Sequence, residues 1–168
     1  MDKKPSHISC ENVCTFGSGE KLILRTLFYV SALLGAYGIA KTSLVLAVAY
    51  VAYALISYFM LMRHTVCSRC PHLFVADDCL FVPASLVKNF VIPKKGALST
   101  GELLIVLFAV LGTAGIPIYW LAADTTLLVI YLALNAGFTL GLVGRICKKC
   151  QVEVCPMNRN PLFKGQKG

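Results

Sequence analysis

The chain has 168 residues, 57% of them hydrophobic and only 14% charged, against about 45–50% and 25% in an ordinary soluble domain. That balance excludes disorder and argues against a soluble globular fold. The formal net charge is +8, sixteen Lys and Arg stand against eight Asp and Glu, and there are eight cysteines, so the first reading is a small, basic, cysteine-rich integral membrane protein.

In chain order, residues 1–21 form an N-terminal arm that carries Cys10 and Cys14. Residues 22–40 are apolar except for Arg25, and residues 43–62 carry no charge before the chain reaches Arg63. Each approaches the ~20 residues that a helix needs to span a bilayer. Arg25 lies one turn inside the first helix and is expected to reach back to the lipid headgroups. A signal peptide would need a cleavage site and a polar mature domain, whereas a second span comes almost at once. Residues 63–102 form a loop with Cys67, Cys70 and Cys79, and residues 103–123 and 125–144 are two further uncharged spans. The tail, residues 145–168, holds Cys147, Cys150 and Cys155.

Only Lys41 and Thr42 separate the first two spans, and only Asp124 the last two. Links that short impose antiparallel helical hairpins. The expected fold is therefore an all-α membrane protein, with four transmembrane helices as two tandem antiparallel hairpins and cysteine-rich loops in the cytoplasm. Fifteen of the sixteen basic residues, and all eight cysteines, fall on the side shared by the arm, the central loop and the tail. The positive-inside rule puts that side, with both termini, in the cytoplasm of a multi-pass inner-membrane protein.

The halves repeat. Ser18-Gly19-Glu20 opens one hairpin and Thr100-Gly101-Glu102 the other; 43 positions separate Glu20 from Arg63, and Glu102 from Arg145. A C-x-x-C pair comes after each Arg. Both hairpins start on the same side, so the repeat is parallel, about an axis along the membrane normal. Gly112, Gly115, Gly137, Gly141 and Gly144 are placed to let helices approach, and Pro117 to kink the third span. Asn135 and Thr139 are expected to bond between helices.

Each hairpin ends in a cysteine triplet, Cys67/Cys70/Cys79 and Cys147/Cys150/Cys155. The arm adds Cys10 and Cys14, enough for two four-cysteine sites. A reducing cytoplasm disfavours disulfides. A C-x-x-C turn presents two thiolates to one metal ion or one corner of a cluster, and a catalytic dithiol would need only one such pair. Cys followed by Pro, at Cys70 and Cys155, is a feature of ferredoxin segments, so two iron–sulfur clusters of the 4Fe-4S type are expected, with two zinc ions as the alternative. His7, His64 and His72 are read as loop or headgroup-level residues rather than ligands. The spans hold no His for haem and no central acid or Lys for an ion path. Residues 80–92, apolar and broken by Pro83, are expected to lie at the interface over the metal sites. Lys88, Lys94 and Lys95 would face anionic headgroups. Topology and lipid account for the basic balance, so no nucleic-acid partner is expected.

The run Cys67-Ser68-Arg69-Cys70-Pro71-His72, with Cys79, Pro93, Glu102 and the ending Cys147-Lys148-Lys149-Cys150 … Cys155-Pro156-Met157-Asn158 … Asn160-Pro161, resembles a group of small prokaryotic four-helix membrane proteins with C-x-x-C-P and C-x-x-C-x4-C-P-x-N motifs. The likeness covers about residues 67 to 161, and His72-Leu73 stands where that group has an aromatic pair. The resemblance implies no function. The functional expectation is a membrane electron-transfer subunit that exchanges electrons with a quinone, a peripheral redox partner or a larger membrane complex. The alternatives are a zinc-stabilised anchor that docks a cytoplasmic partner, and a membrane thiol oxidoreductase.

Overall fold

The structure, a computed structural model, describes residues 16–65, 67–96, 98–150 and 159–160. Every regular element among them is helical: α1 (Ser18–Ala40), α2 (Leu44–Met60), the short α3 (Pro71–Val75) and α4 (Ala84–Lys88), α5 (Thr100–Leu121), α6 (Thr125–Gly141) and a last turn, α7 (Cys147–Lys149). Three helical stretches are long and apolar enough to cross a membrane: Ser18–Ala40, Thr100–Leu121 and the continuous run Thr125–Lys149. The uncharged α2 has 17 residues, about 25 Å of helix, and a π-helical turn at Leu61–Thr65 prolongs it.

Local chemistry sets the helix starts. Ser99 Oγ accepts the Glu102 N–H at 3.3 Å, and the Glu102 carboxylate accepts the Ser99 N–H at 2.9 Å, a reciprocal capping box. Glu20 likewise accepts the Gly17 N–H at 3.2 Å, although Gly17 has no side chain to return the bond. The caps are thus Gly17 and Ser99, one position before Ser18 and Thr100. Ser43 caps α2 through the Leu46 N–H, and Asp124 caps α6 through the Leu127 N–H.

Close approaches define how the long helices pack. A Cβ on Gly35 would lie 2.8 Å from Pro117 Cγ, and Gly38 lies against Leu121, so α1 and α5 run parallel. Gly137 and Gly141 face Leu27 and Leu24, so α6 runs against α1. Tyr50 Oη donates to the Thr113 carbonyl at 2.9 Å and Tyr53 Oη to that of Phe108 at 2.7 Å, so α2 runs against α5. Of the five glycines singled out for close packing, Gly112 meets Tyr53, while Gly115 and Gly144 face open space.

Pro117 shapes the middle of the bundle. It lacks the N–H that would pair with the carbonyl four residues back, at Thr113. Tyr50 donates to that oxygen from α2, and Tyr131 of α6 donates to it at 3.3 Å and to Ala114 O at 2.9 Å. The freed acceptor is re-satisfied from neighbouring helices, the usual condition for proline inside an apolar span. Asn135 and Thr139 differ from expectation. They bond the Tyr131 and Asn135 carbonyls of their own helix, because an acceptor one turn back is always within reach of a short polar side chain.

Large apolar side chains cover the outside: Leu33, Leu44, Val45, Phe108, Tyr119 and Leu140 are each 70% or more exposed. A water-soluble surface does not carry apolar area on that scale, and hydrocarbon requires it. At the end of the bundle away from the C-x-x-C turns, Lys41 Nζ pairs with Asp124 at 3.2 Å and joins the two interhelical turns.

Candidate functional site

The described cysteines lie at the other end of the bundle. Cys67 begins a 3-10 turn, Cys67–Arg69, which closes with the Cys70 N–H on the Cys67 carbonyl at 3.3 Å. Pro71 then occupies the first turn of α3, where its missing N–H costs nothing. After α3 the chain turns through Asp77, at φ 51°, and reaches Cys79. Cys67, Cys70 and Cys79 pack around Leu73, Val87 and Val91, which are 6% exposed or less. Residues 80–92 therefore do lie over the first triplet, with Val87 and Val91 pressed on it. Their attachment to the bundle is deeper than an interfacial segment would have. Leu80 is buried with Phe16, Leu24 and Ile146, and Phe81 inserts between Phe28, Tyr58 and Phe138 at ring distances of 5.6, 5.9 and 6.0 Å.

Within the triplet, Cys67 and Cys79 are close enough to perturb each other. The neighbouring Cys79 thiol, reinforced by burial, pushes the Cys67 thiol up. Cys67 in turn pulls Cys79 down against the cost of burial, helped by the N–H groups of Val82 and Phe81 and the charge of Arg25. Burial raises Cys70 to about 11, and Cys150 and Cys79 lie near enough to add to the effect. The two C-x-x-C turns therefore lie at the same end of the molecule. Tyr58 Oη, on α2 beneath them, is buried without a hydrogen-bond partner among the described residues and lies within electrostatic reach of Cys67 and Cys79.

In the second triplet, Cys147 is buried and Cys150 ends α7. The chain returns here, with the Arg159 N–H on the Cys147 carbonyl and Asn160 Nδ2 on the Cys150 carbonyl, both at 3.1 Å. Cys10, Cys14, Cys155 and His7 lie outside the described residues. Among the described residues no three His, Cys, Asp or Glu side chains stand close enough together to hold a metal ion. The donors that this end of the molecule does present are three half-buried thiols on one apolar cluster.

His72 is buried, its ring 4.6 Å from that of Phe16, and so is neither a loop nor a headgroup residue. Lys88 and Lys94 pair with Asp77 and Glu102 instead of facing lipid. Arg25 does not reach outward. Its Nε donates to Leu80 O at 2.8 Å and its Nη2 to Cys79 O at 3.3 Å, because carbonyls left unpaired by the turn offer a fixed acceptor.

The structure also assigns roles that the spacing alone did not. Arg69, inside the first C-x-x-C, forks onto Glu102 at 3.2 and 2.9 Å and donates to Gly96 O at 2.9 Å; Gly96 has φ 92°, a conformation suited to glycine. Lys149, inside the second C-x-x-C, donates to Glu20 at 2.7 Å. Each cysteine turn is thus clamped to the helix start of the other half. Lys21 pairs with Asp78, which also accepts the Phe16 N–H at 2.8 Å. Burial works to raise the Asp78 carboxyl, but these two partners outweigh it and hold it low. The sequence does carry a signal for the crossed clamps: a glutamate at the third position of both long helices, and a cation just before the second cysteine of both pairs.

No protein-family model, curated protein or solved structure matches the chain.

Proposed function

We propose that the protein is an integral membrane electron-transfer subunit with two cysteine-ligated metal centres at its cytoplasmic face. In this reading α1 with α2, and α5 with α6, cross the inner membrane as two hairpins. Both termini and all eight cysteines then lie inside, as the bias of Lys and Arg requires. Cys67, Cys70 and Cys79 hold one centre, Cys147, Cys150 and Cys155 the other, and Cys10 and Cys14 complete the two sets. The observation that carries the proposal is the gathering of Cys67, Cys70 and Cys79 around Leu73, Val87 and Val91, above a buried Tyr58 hydroxyl that lacks a partner among the described residues. Three half-buried thiols on one apolar cluster offer soft donors to a metal ion. A sulfur-ligated centre would also give the hydroxyl an acceptor.

The protein itself supplies position. Arg69 and Lys149 hold the cysteine turns against the helix starts, and Val87 and Val91 cover one side of the first triplet. Bound clusters would supply one-electron chemistry, exchanged with a quinone or a peripheral partner. One observation favours a second reading, a membrane thiol oxidoreductase: the Cys79 thiol is pulled down, the property of a reactive sulfur.

Anaerobic purification in detergent, with metal analysis and a visible spectrum on one sample, separates the readings. About eight irons with acid-labile sulfide and broad absorption near ~400 nm are expected, and Cys67→Ser and Cys79→Ser should each remove about half of the iron. About two zincs and no colour would replace electron transfer with a zinc-stabilised anchor for a cytoplasmic partner. A metal-free protein whose Cys79 is alkylated first would establish the thiol reading.

A further inference from the structure

We infer that the groove between α1 and α6 is a binding site for an anionic phospholipid, with an acyl chain along the groove and the phosphate on Arg145. The groove has a volume of about 450 Å³ and is lined on one side by Leu24 and Leu27 and on the other by Gly137, Gly141 and Gly144. Nothing lies within 4 Å of where a Cβ on Gly144 would be, so the groove is open at its end near the cysteine turns, beyond the contacts of Leu24 with Gly141 and Leu27 with Gly137. Hydrocarbon-facing clefts are filled by chains, and the mouth selects the headgroup.

Glu20 and Arg145 flank that mouth. Glu20 is already held by Lys149. Arg145 is exposed and makes no hydrogen bond or ion pair among the described residues. Lys148, also exposed, lies three positions on. Arg145 and Lys149 against the single Glu20 leave the mouth positive, and the Arg145 guanidinium, which acts on Glu20 only through space, keeps its fork for phosphate oxygens. An apolar groove with a cationic mouth is the complement of an amphiphile with an anionic head. The inference rests on the placement in a membrane and is independent of whether the cysteines bind metal.

The test uses the full chain in detergent, titrated with phosphatidylglycerol or phosphatidylcholine of identical chains, with retained lipid counted by native mass spectrometry. One phosphatidylglycerol should be retained in preference. Arg145→Gln should weaken its retention about fivefold, and Gly144→Leu, which fills the groove, should abolish it. Helix content and monodispersity of the same samples confirm the fold, and if Arg145→Gln fails to fold, Gly144→Leu decides. Equal retention of phosphatidylcholine, or unchanged phosphatidylglycerol retention in the folded variants, would overturn the site.

Discussion

Arg69 and Glu102 keep only 9% and 12% of their side-chain surface in contact with solvent. A paired charge with so little water cannot be rehydrated easily when its partner is removed. Lys94 also reaches Glu102, but from a side chain 40% exposed and as a single ammonium. Arg69→Gln should therefore lower the melting temperature in detergent more than Lys94→Ala, with Arg69→Lys in between, because a point charge cannot reproduce the fork. Equal losses in the three variants, by circular dichroism, would show that Glu102 needs only nearby positive charge. Asp124 allows a separate test by pH. The Leu127 N–H, then Lys41, holds its carboxyl below the ordinary value. A depressed folded value means that this stabilisation is complete above about pH 3.9 and is lost as pH falls through the lower folded value. Asp124→Asn retains the capping oxygen and should flatten that acid limb of the melting curve. Tyr58 predicts the opposite of most core substitutions. Tyr58→Phe removes a buried hydroxyl that has no partner among the described residues, so metal-free protein should keep or gain thermal stability; a clear loss would mean that the hydroxyl is satisfied.

At the scale of elements, α5 depends on its neighbours at Pro117. Tyr50 and Tyr131 supply the donors that the helix lacks there, and interhelical hydrogen bonds of this kind are worth about 1 kcal/mol each in membrane proteins. Tyr50→Phe should cost about that much in wild-type protein. The loss should shrink in a Pro117→Ala background, where the restored N–H at 117 takes the Thr113 carbonyl. Reversible unfolding in mixed micelles measures the double-mutant cycle; equal losses in both backgrounds would separate the tyrosine from the proline. The π turns Leu61–Thr65 and Leu142–Ile146 form a second shared device. Each ends a long helix just before a cysteine pair, and the extra residue in the turn rotates the cysteine segment relative to the helix face.

For the whole molecule, two ion pairs cross between the halves at the cysteine end, Arg69 with Glu102 and Lys149 with Glu20. A third, Lys41 with Asp124, joins them at the far end. The halves are therefore braced against each other at both ends. The proposed topology makes those ends chemically distinguishable in living cells. Thr42 is exposed in the turn between α1 and α2. A membrane-impermeant maleimide should leave the wild-type chain unlabelled in intact cells and label the Thr42→Cys variant once. Labelling of wild type without lysis would place native cysteines outside and reverse the orientation.

Residue order alone determined the class of the protein and much of its element plan. Uninterrupted apolar runs have no stable place except inside hydrocarbon or a large core, and Glu20 and Glu102 mark helix starts through contacts only three residues long. The grouping of the described cysteines at one end of the long helices was legible for the same reason. Tertiary structure alone decided which sulfur meets which, bringing Cys67 to Cys79 and Cys70 toward Cys150. It turned Arg25 inward to the Cys79 and Leu80 carbonyls, buried His72 against Phe16, set Phe81 between three helices and placed two tyrosines at the proline break. These pairings join residues from 12 to 80 positions apart. Spacing along a helix records which side chains share a face, but packing decides which faces meet.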